Sequence, residues 1–149
     1  MEKLIFFVFL QRNHSIFQQF NMKKHYHVVA AVVKDGDRYL CTQRTRSRLK
    51  YITERWEFPG GKVKEDECDH EALLREIKEE MDWDIYVGRR LGTVEHDYPD
   101  FSITLVAYLC KADNDDFKLY EHLDARWLTL EEMKNLRWTE ADRKLLELL

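Results

Sequence analysis

Residues 61–83 are the segment whose residue types and spacing are best suited to chemistry, because carboxylate side chains recur there at helical spacing. Six residues lie there at fixed intervals: Gly61, Glu67, Arg75, Glu76, Glu79 and Glu80. Each residue of an α-helix advances about 100°, so Glu76, Glu79 and Glu80 share one arc and repel one another. A hard divalent cation with oxygen ligands, Mg²⁺ or alternatively Mn²⁺, would relieve that repulsion. A solvated acidic face, partly neutralised by Arg75 and Lys78, is the alternative interpretation.

The helix that would carry these carboxylates is predicted over residues 69–81. Leu73, Leu74, Ile77 and Met81 recur at helical spacing and form the face expected to be buried.

A Pro-Gly-Gly sequence precedes this helix. Phe58-Pro59-Gly60-Gly61-Lys62 reads as the end of an apolar strand followed by a turn. Glycines there let the backbone approach a ligand closely and adopt φ > 0. An ordinary turn remains the alternative.

The spacing from Gly61 to Glu80 resembles the signature of the Nudix hydrolases, and the similarity extends from about Tyr26 to the C-terminus. Asp82 stands where that signature has glycine, at a helix end that favours a left-handed residue, which Asp tolerates. Cys68, at the other end, is a poor N-cap. The resemblance implies an α/β fold, a Nudix-type α/β/α sandwich with a mixed β-sheet.

The same resemblance assigns the metal and catalytic roles. It makes Glu79 and Glu80 the principal metal ligands, and Glu76 a ligand or the base that activates water. Arg75 would orient the helix by pairing with its carboxylates. Further metal ligands are expected from the glycine turn and from the loop before the last strand: a backbone carbonyl of Gly60 or Gly61, and Glu121, which is also a candidate base. A surface carboxylate is the alternative for Glu121.

Substrate contacts are expected from Arg44, Phe58, Lys62 and Asp142. Arg44 begins a basic stretch suited to polyphosphate, although a solvated loop explains most of that stretch equally well. Phe58 would line a base pocket or belong to the core. Asp142 would accept from a cytosine or guanine edge, or simply complement a helix dipole.

Local strings such as Trp56-Glu57-Phe58-Pro59 and Glu121-His122 resemble the MutT-like and CTP pyrophosphohydrolase branches of the family. This similarity implies hydrolysis of a nucleoside triphosphate, of CTP/dCTP or 8-oxo-dGTP type, to a monophosphate and pyrophosphate. Tyr98-Pro99 keeps ADP-ribose or another nucleoside diphosphate derivative open as an alternative substrate. A non-catalytic nucleotide-binding module is the alternative of another class, but such modules typically lose the glutamates present here.

Length and composition are consistent with a single catalytic domain. The chain has 149 residues, 44% hydrophobic content and a net charge of −4, which does not indicate a nucleic-acid-coating surface. Three cysteines without a pairing pattern favour a reducing, cytoplasmic location. We expect a nucleotide substrate, no nucleic acid polymer, no membrane contact, and a monomer or homodimer.

Residues 1–21 are interpreted as an N-terminal extension outside the core domain, and residues 22–149 as one Nudix domain. The apolar run within 4–10 is too short to span a bilayer. The competing hypothesis is an apolar arm that packs on the domain or on a partner subunit.

The remaining pattern predicts the other elements. Strands are expected at 27–33, 38–43, 56–58, 86–95, 102–110 and 125–128, and further helices at 130–134 and 140–149.

Overall fold

A mixed seven-stranded sheet organises the computed structural model, which describes residues 23–149. The predictions for residues 1–21 lie outside the described residues. The strands are β1 (Lys24–Asp35), β2 (Arg38–Gln43), β3 (Trp56–Glu57), β4 (Gly60–Lys62), β5 (Tyr86–Asp97), β6 (Phe101–Lys111) and β7 (Asp124–Thr129). The helices are α1 (Asp69–Met81), α2 (Leu130–Met133) and α3 (Glu140–Leu145), and a 3₁₀ turn follows at Leu146–Leu148.

Strand β1 is the centre of this sheet. The main path runs β3-β2-β1-β6-β5, while β4 pairs with β1 and β7 pairs with β2. β1 and β6 are parallel over Lys24–Val33, and the other named pairs are antiparallel. The run from Val29 to Val33 is at most 1% exposed, which explains its continuous apolar sequence: both faces of the strand are covered.

Helices cover both faces, so the predicted α/β/α sandwich is confirmed. On one face, α1 packs Leu73 and Ile77 against alternate β1 residues such as Val29 and Ala31. On the other face, α2 packs on β2 and β7, and α3 packs on β3 and β5. The core there contains Ala30, Val32, Met133, Ala141 and Leu145.

Helix α1 has the predicted bounds, but its buried face is shifted by one residue. Ala72 is fully buried, whereas Leu74, which we expected inside, is 45% exposed. The buried stripe follows Leu73, Ile77 and Met81 at intervals of four, and Leu74 lies about 100° farther round the helix. Asp82 ends the helix in the predicted left-handed conformation, with φ 46° and ψ 46°.

Two other predicted elements differ from the structure. Residues 60–62 form strand β4 beside β1 instead of a turn, with Gly60 opposite Ala30 and Gly61 opposite Val29. The C-terminal helix changes to a 3₁₀ turn after Leu145. The hairpin of β1 and β2 is as predicted, and Gly36 supplies its positive φ of 61°.

Candidate active site

A cavity of about 570 Å³ opens between β1, β3, β4 and the loops that follow β2 and β6. It brings together most of the residues that the sequence singled out. Its lining includes Arg44, Phe58, Gly60, Gly61, Lys62, Glu76, Glu80, Glu121 and Asp142. Glu79 and Arg75 are not part of that lining.

Buried carboxylates concentrate negative charge in this cavity. The side chains of Glu76 and Glu80 are 15% and 14% exposed. Glu80 Oε2 is buried and has no hydrogen-bond partner among the described residues. Burial, together with the charges of Glu76 and Glu57, raises the pKa of the Glu80 carboxyl. The site therefore favours either a proton or a cation at this carboxylate.

Arg75 hydrogen-bonds carboxylates of the acidic helix and the backbone of β4. Its Nη1 donates to Glu76 Oε1 at 2.9 Å and to Glu79 Oε2 at 3.2 Å. Its Nε donates to Glu67 Oε2 at 2.9 Å, and its Nη2 to the carbonyl of Lys62 at 3.0 Å. The Arg75 hydrogen bond lowers the pKa of Glu67 to about 2. One guanidinium thus ties α1 to both the loop before it and strand β4.

The two glycines of β4 are needed because neighbouring atoms pack closely against them, and not because their backbone conformation is unusual. A Cβ on Gly60 would lie 1.9 Å from the Val29 carbonyl oxygen, and one on Gly61 would lie 2.4 Å from Cδ of Glu76. Neither has the positive φ that we expected of a turn. Any side chain at position 61 would displace the Glu76 carboxylate, so this glycine shapes the acidic cluster directly.

The donor chemistry fits a hard divalent cation. Carboxylates of α1 and of the loop before β7 line the cavity together with the backbone of β4, and one buried carboxylate oxygen has no hydrogen-bond partner among the described residues. As the side chains lie, no three His, Cys, Asp or Glu residues within 23–149 converge as a bound ion would require. Arg75 instead holds the carboxylates of Glu76 and Glu79. Glu79, predicted as a principal ligand, is 55% exposed.

Glu57 and His122 also line the cavity, although the sequence assigned a role to neither. Glu57 accepts a hydrogen bond from Arg44 Nη1 at 2.9 Å through its Oε2. His122 lies nearby, and its side chain is only 5% exposed. One signal in the sequence indicated a role for these residues, their positions in the strings Trp56-Glu57-Phe58 and Glu121-His122. The contacts themselves, of Glu57 with Arg44 and of His122 with Glu80, join residues that are far apart in the chain.

Arg44 is the cation of the basic stretch that faces the cavity. Its Nε is buried without a partner among the described side chains, while Nη1 binds Glu57. The Glu57 charge raises its pKa. Arg46, by contrast, has an 87% exposed side chain and pairs with Glu54, as the solvated-loop alternative predicts.

Asp142 and Phe58 have structural as well as cavity-lining positions. Asp142 accepts from the Phe58 backbone N–H at 2.9 Å and from Thr139 Oγ1 at 2.7 Å. Burial, with the charge of Glu57, raises its pKa to about 7. Phe58 is 3% exposed and packs on Trp138, with ring centroids 5.0 Å apart. Phe58 is thus a core residue that also lines the cavity.

Aromatic side chains form another part of the cavity wall. Tyr26, Tyr98 and Phe101 line it, and Tyr98 stacks on Tyr51 with a centroid distance of 5.3 Å. The Tyr98 hydroxyl accepts from the Ala141 N–H at the start of α3. Lys62 Nζ lies 4.0 Å from the Tyr26 ring centroid.

Comparison with known proteins places the chain in a family. The NUDIX domain profile matches residues 23–149. An 8-oxo-dGTP diphosphatase of Proteus vulgaris is 38% identical over 89 residues, which are 58% of this chain and 77% of the relative. The CTP pyrophosphohydrolase of Escherichia coli K12 is 31% identical over 120 residues, covering 80% of this chain and 87% of the relative. The crystal structure of a MutT protein from Methanosarcina mazei superposes with a TM-score of 0.74 at 25% identity, covering 84% of this chain and 92% of that one. The chain belongs to the Nudix family of hydrolases.

Proposed function

We propose that this protein is a metal-dependent nucleoside triphosphate pyrophosphohydrolase that releases a nucleoside monophosphate and pyrophosphate. CTP or dCTP and 8-oxo-dGTP are the candidate substrates, in keeping with the activities for which its relatives are named. One observation carries the proposal: a single cavity combines an acidic cluster, the partly buried guanidinium of Arg44 and an aromatic wall. Those surfaces match a cation, a polyphosphate and a base.

The residues divide the work of the reaction. Glu76, Glu80 and Glu121, with a backbone carbonyl of Gly60 or Gly61, would hold the cation, for which we propose Mg²⁺, with Mn²⁺ as the alternative. That cation, when bound, neutralises the polyphosphate and polarises the phosphorus that is attacked. Glu79 would join the ligands by leaving Arg75. Glu76 or Glu121 would accept the proton of the attacking water.

Arg44 and Lys62 would hold the phosphate oxygens. Arg44 suits this role because Glu57 fixes its guanidinium while its buried Nε stays unpartnered among the described residues. Phe58 and the aromatic wall would enclose the base, and Asp142 would contact its polar edge.

Product analysis tests the proposal. The purified protein would be incubated with CTP, dCTP, 5-methyl-dCTP, 8-oxo-dGTP and ADP-ribose in Mg²⁺, and products would be followed by ³¹P NMR. We expect pyrophosphate and a monophosphate from a nucleoside triphosphate. Faster release of AMP and ribose 5-phosphate from ADP-ribose would show that the substrate class is wrong, and turnover of nothing would favour a binding module.

Asp142→Asn tests how the base is recognised. Asn keeps a carbonyl for the Phe58 N–H but loses the charge and one acceptor, so the preference between bases should weaken by about 1 to 3 kcal/mol. The ratio of kcat/KM values for two bases measures this. An equal loss on every base would make Asp142 structural and place the base contacts elsewhere.

We place the protein in the cytoplasm. All three cysteines are free, with Cys41 and Cys110 buried and Cys68 exposed, which suits a reducing compartment. No helix within residues 23–149 is long and apolar enough to cross a membrane.

A further inference from the structure

His122 is a buried histidine that lines the acidic cavity. Its Nε2 lies 3.7 Å from Glu57 Oε1 and 3.8 Å from Glu80 Oε2. Its Nδ1 is buried and has no hydrogen-bond partner among the described residues. A buried ring nitrogen without a partner lowers the stability of the fold, so packing alone is a poor explanation for this side chain.

Backbone hydrogen bonds place His122 from both sides. The N–H groups of Lys118 and Tyr120 donate to the carbonyls of Met81 and Glu80 at the end of α1, at 2.8 and 3.2 Å. On the other side, the Leu123 N–H donates to Gln43 of β2 at 2.9 Å. The loop is thus attached to the helix of Glu80 and to the strand beside Glu57.

His122 also completes a continuous line of charged and polar groups. Arg44 binds one oxygen of Glu57, and the other oxygen of Glu57 faces His122, which in turn faces Glu80. Both His122 distances exceed a hydrogen bond by less than 1 Å. Catalytic hydrogen bonds are commonly long in free proteins and shorten when substrate binds.

We propose that His122 is a positioning residue that orients the Glu57 and Glu80 carboxylates relative to each other. Through Glu80 it supports cation binding, and through Glu57 it keeps Arg44 directed at the polyphosphate. The assignment rests on the proposed function for the role of Arg44, whereas its effect on cation binding does not depend on the substrate.

The test uses the full chain with His122→Leu, which keeps the volume and removes both nitrogens, and His122→Gln, which retains an N–H donor. His70→Leu is the matched control, because His70 is exposed and lies outside the cavity. Three quantities are measured for each variant: the Mn²⁺ dissociation constant without substrate, kcat and KM at saturating Mg²⁺, and the melting temperature.

For His122→Leu we expect Mn²⁺ affinity and kcat each to fall by about 10- to 100-fold. We also expect KM to rise, because Arg44 is then no longer held toward the polyphosphate. His122→Gln should recover part of both losses, and His70→Leu should match the wild type. A His122→Leu protein that melts normally, binds Mn²⁺ as tightly as the wild type and turns over at the wild-type rate would overturn the proposal. So would equal loss of activity in the Leu and Gln variants with unchanged Mn²⁺ affinity.

His122→Ala decides the matter if the leucine variant does not fold. The cavity reaches His122, so added imidazole can enter the vacated space. Recovery of kcat with imidazole supports the positioning role, and a rate that imidazole leaves unchanged contradicts it. If the wild type cleaves no nucleoside triphosphate, the proposed function fails, yet the Mn²⁺ titration still tests His122.

Discussion

Glu80 shows at the scale of one residue how the fold prepares a cation site. Its Oε2 atom is buried without a hydrogen-bond partner among residues 23–149, and the charges of Glu76, Glu57 and Glu121 all raise its pKa. Such a carboxylate is costly to ionise in the free protein and gains most from a nearby cation. The negative charge of Glu80 therefore lowers the stability of the apoprotein and at the same time raises the affinity for a metal ion.

We predict that Glu80→Gln abolishes most turnover without unfolding the protein. The amide keeps the shape, removes a charge that would stabilise the cation, and relieves repulsion from Glu76 and Glu57. In EDTA the variant should melt at or above the wild-type temperature, and Mg²⁺ should no longer raise its melting temperature.

Glu71→Gln is the control for this change, since Glu71 is an exposed residue of the same helix outside the cavity. Near wild-type rates for Glu80→Gln at saturating Mg²⁺ would refute the assignment of Glu80 to the metal.

Helix α1 carries the site at the scale of the secondary structure, and its two ends differ in quality. At the C-terminal end, the last backbone carbonyls have hydrogen-bond partners: the Asp82 N–H donates to the Lys78 carbonyl, and N–H groups of the loop before β7 donate to two further carbonyls. At the N-terminal end, the first backbone N–H groups have no side-chain cap. The N-cap Cys68 has the extended conformation of a cap, φ −83° and ψ 168°, but its side chain makes no capping hydrogen bond.

We predict that Cys68→Ser stabilises the protein. A serine hydroxyl can accept from the free N–H groups of the first turn, which is worth about 0.5 to 1 kcal/mol and raises the melting temperature by about 2 to 4 °C. Activity should not change, since Cys68 does not line the cavity.

The same exchange at Cys110 is the control. Cys110 is 3% exposed in the core beneath α1, so a serine there should lower the melting temperature. If Cys68→Ser also melts at a lower temperature, the N–H groups of the first turn already have other hydrogen-bond partners, and the prediction is wrong.

At the scale of the described molecule, β1 is the central strand, and it pairs with β6 from its first residue onward. Lys24 already pairs with Phe101 of β6, and Lys23 binds Asp97 at 2.9 Å. The described sheet and the helices on both of its faces lie within residues 23–149. This supports the proposal that residues 22–149 form one domain.

We predict that a chain beginning at Met22 is folded and fully active. Its melting temperature should lie within a few degrees of that of the full chain, measured by differential scanning calorimetry. A larger decrease, or a change of oligomeric state by light scattering, would show instead that residues 1–21 complete a core or an interface.

The sequence by itself determined the local features of this protein. Helix α1, its acidic arc, its left-handed end at Asp82 and the first hairpin all depend on contacts between residues close in the chain. Periodicity and turn chemistry report such contacts directly. The Gly61-to-Glu80 spacing likewise identified the family, which the NUDIX profile match confirms.

Only the tertiary structure decided which side chains meet. Strand pairing places Glu57 beside Arg44, thirteen residues away, and the loop attached to α1 brings His122 to Glu80 across 42 residues. The same packing exposes Leu74 and makes Gly61 a contact for Glu76. These outcomes depend on strand register and helix rotation, which local propensity leaves open because burial against distant segments sets both.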